Sequence, residues 1–330
     1  MPNDKSIMKL CVIMAAFTSL FVISIAILIS NNIYFGNTNL AYGHTNQMNS
    51  NITNLKIQNI PEKKIHVGDI DIAYEIFGRG DPILFIAGAT MTIYNWPPSI
   101  INQLSLNHMV IVFDNRGVGN TTCGTKPFSI QQFAIDTNGL LDALKIQKAD
   151  VLGFSLGSLI AQELTVTHPE KVNRLVLYSS TCGGEDSIPP SPPVLKSYIG
   201  VIRNTTDAAK RLVSTLFPQG WIKANPNYFA SILLSKEKAP ETTIKLQLSA
   251  FTKWGTPPLN GSCDQLGILS KPILIIVGTK DMAIPPANSL IIAAKIPGSW
   301  LVQIRGGGHG LMYQYPEQFS NILNTFLEIA

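Results

Sequence analysis

The chain has 330 residues, which suits one large α/β domain with an insertion or two smaller domains. Hydrophobic residues make up 45% of it and charged residues 14%, so it can bury a sizeable core and global disorder is not expected. The net charge of +4 is mild, and the Lys and Arg residues form no basic stripe. This pattern argues against a nucleic-acid-binding protein.

The first predicted element is an uncharged apolar segment, residues 10–30, which is long enough to span a bilayer as a helix. Lys5 and Lys9 precede it and the next basic residue is Lys56, so the positive-inside rule places the remaining chain outside the cytoplasm. We therefore expect residues 1–31 to form a transmembrane signal anchor and the protein to be membrane-anchored. A cleaved signal peptide, with a secreted product, is the alternative.

A polar tether and a hairpin come next. Residues 32–60 are rich in Asn, Thr and Ser and have little apolar periodicity, which is typical of a flexible tether. Apolar and polar residues then alternate over 65–77 around Val67-Gly68-Asp69, and this alternation predicts a β-hairpin.

Short apolar runs separated by helical patterns dominate the rest of the chain. The runs cover 82–86, 109–113, 149–153, 174–178, 273–277 and 300–304, and the helices about 129–145, 156–168, 286–295 and 315–329. Near-continuous apolar strands alternating with helices indicate an α/β fold with a mostly parallel central sheet flanked by helices. We assign residues 61–183 and 269–330 to this core.

The alternation breaks down between residues 184 and 268. This segment begins with a proline-rich stretch and contains helix-like patterns near 194–216, 225–236 and 240–253. It is too long to be a loop in a compact domain. We interpret it as a helical lid insertion that covers one end of the sheet.

Four cysteines are present, and Cys11 lies in the apolar N-terminal segment. Cys123, Cys182 and Cys263 remain, so one disulfide and one free thiol fit the count, but the spacing does not assign the pair. The sequence has no Cys-x-x-Cys motif or His/Cys cluster that would indicate a metal site, and we expect no cofactor.

Ser155 lies in a Gly-x-Ser-x-Gly pattern between a predicted strand and a predicted helix. Gly153 and Gly157 supply the small flanking residues that a tight strand-to-helix turn needs. Such a turn exposes the serine hydroxyl above the sheet as a nucleophile. The alternative interpretation is a serine that only caps a buried helix.

A nucleophilic serine needs a base, and the chain has five histidines. Four of them lie in the tether, the hairpin or at unsuitable strand and helix ends, whereas His309 directly follows the last apolar run in a glycine-rich loop. Asp281 follows the preceding run and is the expected orienting acid, with Glu185 and Asp186 as alternatives. Parallel strands bring their exit ends to one edge, so Ser155, Asp281 and His309 should converge there.

The oxyanion of a tetrahedral intermediate needs two backbone donors. The N–H of Leu156, directly after the serine, is the first candidate. The N–H of Ala89, in the loop after the 82–86 run, is the second, and Gly88 would permit close approach. A plain strand-to-helix loop is the alternative interpretation.

These features together resemble the α/β-hydrolase superfamily over residues 62–330, and within it the esterase, enol-lactonase and cofactor-free haloperoxidase branches. The motifs that carry the resemblance are Gly153-Phe154-Ser155-Leu156-Gly157, Asp114-Asn115-Arg116-Gly117-Val118-Gly119, Gly278-Thr279-Lys280-Asp281 and Gly308-His309-Gly310.

The resemblance implies a role for each matching residue. Ser155 would be the nucleophile, His309 the general base and Asp281 its orienting acid, while the Leu156 and Ala89 amides would form the oxyanion hole. It also implies that Asp114 and Arg116 brace loops near the site. The family usually has His-Gly before the oxyanion residue, and this chain has Ala87-Gly88 there.

The sequence therefore predicts a serine hydrolase of small carboxylic esters or lactones that works through an acyl-enzyme. A non-catalytic ligand-binding protein of the same fold and an acyltransferase are the alternatives. The aromatic residues of the insertion either shape an apolar substrate pocket or form its core; they are Phe217, Trp221, Tyr228, Phe229 and Trp254.

Overall fold

A computed structural model describes residues 61–189, 191–192, 214–226 and 239–329. Its centre is an eight-stranded sheet. The strands are β1 (Lys63–Val67), β2 (Ile70–Phe77), β3 (Asp81–Ile86), β4 (His108–Phe113), β5 (Ala149–Phe154), β6 (Val172–Tyr178), β7 (Ile273–Gly278) and β8 (Trp300–Ile304).

The strand order across the sheet is β1-β2-β4-β3-β5-β6-β7-β8. β1 and β2 form the predicted antiparallel hairpin, and β2 also pairs antiparallel with β4. Every other neighbouring pair is parallel. Every residue of β5 and β7 is buried, which explains why β7 is apolar throughout and β5 is apolar except for Asp150.

Helices cover both faces of the sheet. They are α1 (Pro98–Leu104), α2 (Ile130–Ala143), α3 (Leu156–Thr167), α4 (Gln219–Ala224), α5 (Glu241–Gly255), α6 (Ala287–Lys295), α7 (Leu311–Gln314) and α8 (Pro316–Ile329). Buried residues of α2, α3 and α6 join one apolar cluster, and those of α1 and α8 join the other. Neighbouring strand residues alternate between the two clusters, as Val151 and Leu152 do.

Two of these helices, α4 and α5, lie in the segment between β6 and β7. A disulfide joins Cys182 at the start of this segment to Cys263 near its end, and the exposed Cys123 is the free cysteine of the described residues. Most of the predicted helices at 194–216 and 225–236 lies outside the described residues. The division of the chain into core and lid stays a prediction.

Two side-chain bonds attach the insertion to α3. Ser262 donates its hydroxyl proton to Gln162 Oε1 at 2.6 Å. The indole Nε1–H of Trp254 donates to Glu163 Oε2 at 2.9 Å, and Trp254 is buried. These bonds hold the C-terminal part of the insertion against the helix that follows Ser155.

The predicted membrane anchor requires a correction. Among the residues that the structure describes, no helix has both the length and the apolar character needed to cross a bilayer. This finding contradicts the transmembrane, signal-anchor and membrane-anchored predictions, which we withdraw. The segment on which they rested, residues 10–30, and the tether at 32–60 lie outside the described residues.

Candidate active site

The three predicted catalytic residues follow three strands of the parallel part of the sheet. Ser155 lies between β5 and α3, Asp281 follows β7 by three residues, and His309 follows β8 by five. β5, β6, β7 and β8 are parallel neighbours, so their carboxyl ends share one edge. The fold thus brings residues separated by 154 positions within hydrogen-bonding distance of each other.

The backbone at Ser155 is held in an unusual conformation. Its φ is 53° and its ψ −119°, a region that non-glycine residues rarely occupy. The flanking glycines permit this turn. A Cβ added to Gly157 would lie 2.1 Å from the carbonyl oxygen of Ile86, and one added to Gly153 would lie 2.4 Å from that of Gly157. Any larger residue at either position would push the turn away from the sheet.

A continuous chain of hydrogen bonds joins the three side chains. His309 Nε2 is 3.1 Å from Ser155 Oγ, and His309 Nδ1 is 2.9 Å from Asp281 Oδ2. All three residues are buried, with 1%, 2% and 3% of their surface exposed for Ser155, His309 and Asp281. Exclusion of water strengthens each of these contacts.

Two backbone groups fix the orientation of Asp281. The N–H groups of Ala283 and Ile284 both donate to Oδ1 at 2.9 Å. Oδ2 therefore remains for the histidine. Because a carboxylate only accepts, Nδ1 of His309 carries the proton, and Nε2 is the acceptor that faces the serine hydroxyl.

The loop of His309 is held from two sides. Tyr178, at the end of β6, donates its hydroxyl proton to the carbonyl oxygen of His309 at 2.5 Å. Burial raises the pKa of Tyr178 well above its ordinary value, so it remains a donor. The N–H of Gly310 donates to the carbonyl oxygen of Leu216 in the insertion at 3.0 Å. The ring of Phe154 lies 5.0 Å from the imidazole, centroid to centroid.

The two candidate oxyanion donors lie on adjoining turns. The N–H of Leu156 is the first of helix α3, and the N–H of Ala89 belongs to the loop after β3. Asn115 Nδ2 donates to the carbonyl oxygen of Ala87 at 3.1 Å and so holds the loop after β3 in place. This chain has Ala87 where the family that it resembles usually has a histidine.

The comparisons with known proteins agree with this fold. Residues 81–316 match a family model described as the alpha/beta hydrolase fold. The chain belongs to the α/β-hydrolase family.

Two curated relatives and one solved structure illustrate the range of this family. The chain is 26% identical over 270 residues to a putative carbamate hydrolase, RutD, of Azorhizobium caulinodans, a match of 79% of this chain and 96% of the relative. It is 27% identical over 275 residues to a putative non-heme bromoperoxidase, BpoC, of Mycobacterium tuberculosis, covering 78% and 97%. An α/β-hydrolase fold protein from Chitinophaga pinensis superimposes with a TM-score of 0.70 at 27% identity, covering 82% and 98%. Hydrolases among the relatives support a hydrolase of this fold.

Asp114 and Arg116, which the resemblance implied to be structural, both form bonds that hold loops in place. Asp114 Oδ1 accepts from the N–H of Ile93 at 2.8 Å. Arg116 is buried and bonds both Asp136, at 2.7 Å, and Asp69, at 2.7 Å. Both residues therefore fix loops rather than face the serine.

The alternative acids lie elsewhere. Glu185 is exposed, and Asp186 forms an ion pair with Lys295 at 2.9 Å. Asp281 is the carboxylate that bonds His309.

Aromatic residues of the insertion divide into two groups. Phe217 stacks on Trp221 with ring centroids 4.8 Å apart, and a Cβ on Gly310 would come within 2.6 Å of the Phe217 ring. This pair therefore packs against the His309 loop, whereas Trp254 bonds Glu163 of α3. Tyr228 and Phe229 lie outside the described residues.

Sequence reasoning missed three residues that support the site: Tyr178, Asn115 and Gln247. Gln247, on α5, accepts a hydrogen bond from the backbone of the oxyanion loop. Tyr178 lies at the end of a strand next to β5, and this position could have indicated that it supports the site.

In the part of the chain that the structure describes, no group of three or more His, Cys, Asp or Glu side chains could hold a metal ion.

Proposed function

We propose that this α/β-hydrolase family member is a serine hydrolase that cleaves small carboxylic esters or lactones. The observation that carries the proposal is the buried chain of bonds from Asp281 through His309 to Ser155. The three groups supply what acyl transfer needs: a carboxylate beside Nδ1, an imidazole whose Nε2 faces the serine hydroxyl, and that hydroxyl as nucleophile.

In the first half-reaction, Ser155 Oγ attacks the carbonyl carbon while His309 Nε2 takes its proton. The carbonyl oxygen becomes an oxyanion that accepts hydrogen bonds from the N–H groups of Leu156 and Ala89. The intermediate then collapses, the bond to the leaving oxygen breaks, and His309 returns the proton to that oxygen. An alcohol leaves, or a lactone ring opens, and an acyl-serine ester remains.

In the second half-reaction, water replaces the alcohol. His309 Nε2 takes a proton from the water as its oxygen attacks the acyl-serine carbonyl, and the same two amides stabilise the second oxyanion. Collapse returns the proton to Ser155 Oγ and releases the carboxylic acid. The free hydroxyl and the neutral imidazole are restored, so the cycle needs no metal or organic cofactor.

The surroundings of the site favour a small substrate with an apolar portion. Phe154 and Phe217 are buried aromatic residues beside the His309 loop. We further propose that the insertion at 184–268 acts as the lid that encloses this substrate. Carbamates, which a relative is named for, also have an attackable carbonyl and belong in any substrate panel.

The test uses the full chain, a fluorophosphonate probe and p-nitrophenyl acetate. Wild-type protein should be labelled and should hydrolyse the ester, whereas Ser155→Ala and His309→Ala should lose both properties, with turnover falling roughly 10³-fold or more. Ser158→Ala is the matched control, because its hydroxyl bonds the carbonyl oxygen of Ser155 rather than the histidine. A folded wild type that neither reacts with the probe nor turns over the ester contradicts the proposal.

A further inference from the structure

Thr90 adopts a backbone conformation that is unfavourable for its residue type. It directly follows Ala89 in the oxyanion loop, is buried, and has a φ of 61°. A β-branched residue in the left-handed region is an outlier, because its Cβ substituents crowd the backbone. Such strain persists where surrounding structure enforces it, and it concentrates at functional sites.

One such enforcing contact comes from the insertion. Gln247, on α5 and fully buried, accepts a hydrogen bond from the backbone N–H of Thr90 through Oε1 at 3.0 Å. An N–H donor can be met only by the amide oxygen, so this bond fixes which end of the amide faces the loop. The Nε2 donor group belongs to the same planar amide and is held beside the loop.

Two polar atoms at this contact are buried without a partner. Gln247 Nε2 and Thr90 Oγ1 have no hydrogen-bond partner among the described residues. Buried polar side-chain atoms of this kind are uncommon, and each calls for a specific reason. Here the two residues are 157 positions apart in the sequence, and the bond from the Thr90 N–H to Gln247 Oε1 joins them next to the candidate oxyanion donor Ala89.

We propose that Thr90 and Gln247 form a polar subsite that hydrogen-bonds an oxygen atom on the acyl portion of the substrate. Both groups can donate, so the ligand atom is an acceptor: an ether, hydroxyl or keto oxygen close to the scissile carbonyl, or the corresponding oxygen of a substituted lactone. This inference rests on the proposed hydrolase function. It narrows the substrate class to esters and lactones with an oxygen-bearing acyl group.

A matched pair of esters tests the subsite. In p-nitrophenyl methoxyacetate an ether oxygen replaces one CH₂ of p-nitrophenyl butanoate, with the shape almost unchanged. We measure kcat/KM for the methoxyacetate relative to the butanoate and divide it by the same ratio of the uncatalysed hydrolysis rates. This quotient is the preference for the methoxyacetate. With the full chain, we expect Thr90→Val and Gln247→Met each to lower the preference for the methoxyacetate by about tenfold, the usual loss for one hydrogen bond.

Two variants are matched to Thr90→Val. Thr90→Ser keeps the hydroxyl and should keep the preference. Thr252→Val makes the same change on α5, where the hydroxyl bonds the carbonyl oxygen of Leu248 in the same helix, and should also keep the preference. Thr90→Val should leave the midpoint of thermal unfolding unchanged or raised, because the hydroxyl it removes has no partner.

Each outcome has a distinct meaning. If wild-type protein hydrolyses both esters and the preference does not change in Thr90→Val and Gln247→Met, the subsite is wrong and the hydrolase proposal stands. A lowered melting temperature in Thr90→Val, with the preference unchanged, would make the hydroxyl structural. If wild-type protein hydrolyses neither ester and does not react with fluorophosphonate, the proposed function fails and the subsite fails with it.

Discussion

Two regions of this molecule bury a carboxylate in opposite ways. At the carboxyl edge of the sheet, Asp281 is 3% exposed and accepts hydrogen bonds from Ala283, Ile284 and His309. On β2, Glu75 is 1% exposed, and within the described ranges neither of its carboxyl oxygens has a partner. The first site stabilises a negative charge, and the second does not.

The titration of Glu75 reflects this difference. Burial, and then the like charge of Glu62, raise the pKa of Glu75 from 4.5 to about 7. A third buried carboxylate, Asp136, pairs with the buried guanidinium of Arg116. Changing each of the three carboxylates to its amide is therefore a matched set of substitutions. Because the partners of the three carboxylates differ, the effect on activity or stability should differ at each site.

The largest effect is expected at Asp281. Because two backbone N–H groups hold Oδ1, the amide of Asp281→Asn will turn its oxygen to them and its NH₂ to His309 Nδ1. That donor forces the histidine proton onto Nε2, so no acceptor faces Ser155. We expect kcat for p-nitrophenyl acetate to fall by about 10⁴-fold with little change in KM. Glu75→Gln, measured alongside, should keep kcat within about twofold; a small loss in Asp281→Asn would contradict the assignment.

The next effect is expected at Asp136. The amide of Asp136→Asn would place a donor against the N–H groups of Arg116 and remove half of its charge compensation, since Asp69 remains. Breaking a buried ion pair in this way should lower the free energy of unfolding by about 3 kcal/mol. Urea titrations of wild type and variant measure this change. Equal midpoints would show that Asp69 alone compensates the guanidinium.

The smallest effect, with the opposite sign, is expected at Glu75. Because its pKa in the folded protein is raised to about 7, the contribution of Glu75 to stability is fully present below pH 4.5 and is lost as the pH rises towards 7. Glu75→Gln has no such titration. Its free energy of unfolding should equal that of the wild type at pH 4 and exceed it at pH 8.

A matched control is Glu328→Gln, because Glu328 is exposed on the last helix. It should behave like the wild type at both pH values. A pH-independent difference for Glu75→Gln would show that the carboxyl is ionised and partnered in the folded protein.

The sheet, and the meeting of the candidate catalytic residues at one of its edges, could be predicted because they depend on local patterns. The strand before Ser155 is mostly apolar, Gly153 and Gly157 mark a tight turn, and the residues after Ser155 repeat at helical spacing. Parallel strands then bring Asp281 and His309 to the same edge without further information. The hairpin over 65–77 followed from simple alternation.

Other features depend on contacts that the sequence does not mark. The bond between Thr90 and Gln247 joins positions 157 residues apart, and nothing near either residue indicates it. The Cys182–Cys263 pair was left open because three cysteines allow several pairings. The transmembrane prediction, which rested on the hydropathy of residues 10–30 and on the positions of nearby lysines, was wrong: no helix of the described residues is long and apolar enough to cross a membrane.

The most direct test of the central claim is to trap the acyl-enzyme. Full-length protein is mixed with excess p-nitrophenyl acetate, quenched in acid within the first turnovers, and analysed by intact-protein and peptide mass spectrometry. We predict a mass increase of one acetyl group, located on the peptide that contains Ser155, and its absence from Ser155→Ala. Ester hydrolysis without an acetylated serine, or acetyl transfer to another residue that persists in Ser155→Ala, would contradict Ser155 as the nucleophile.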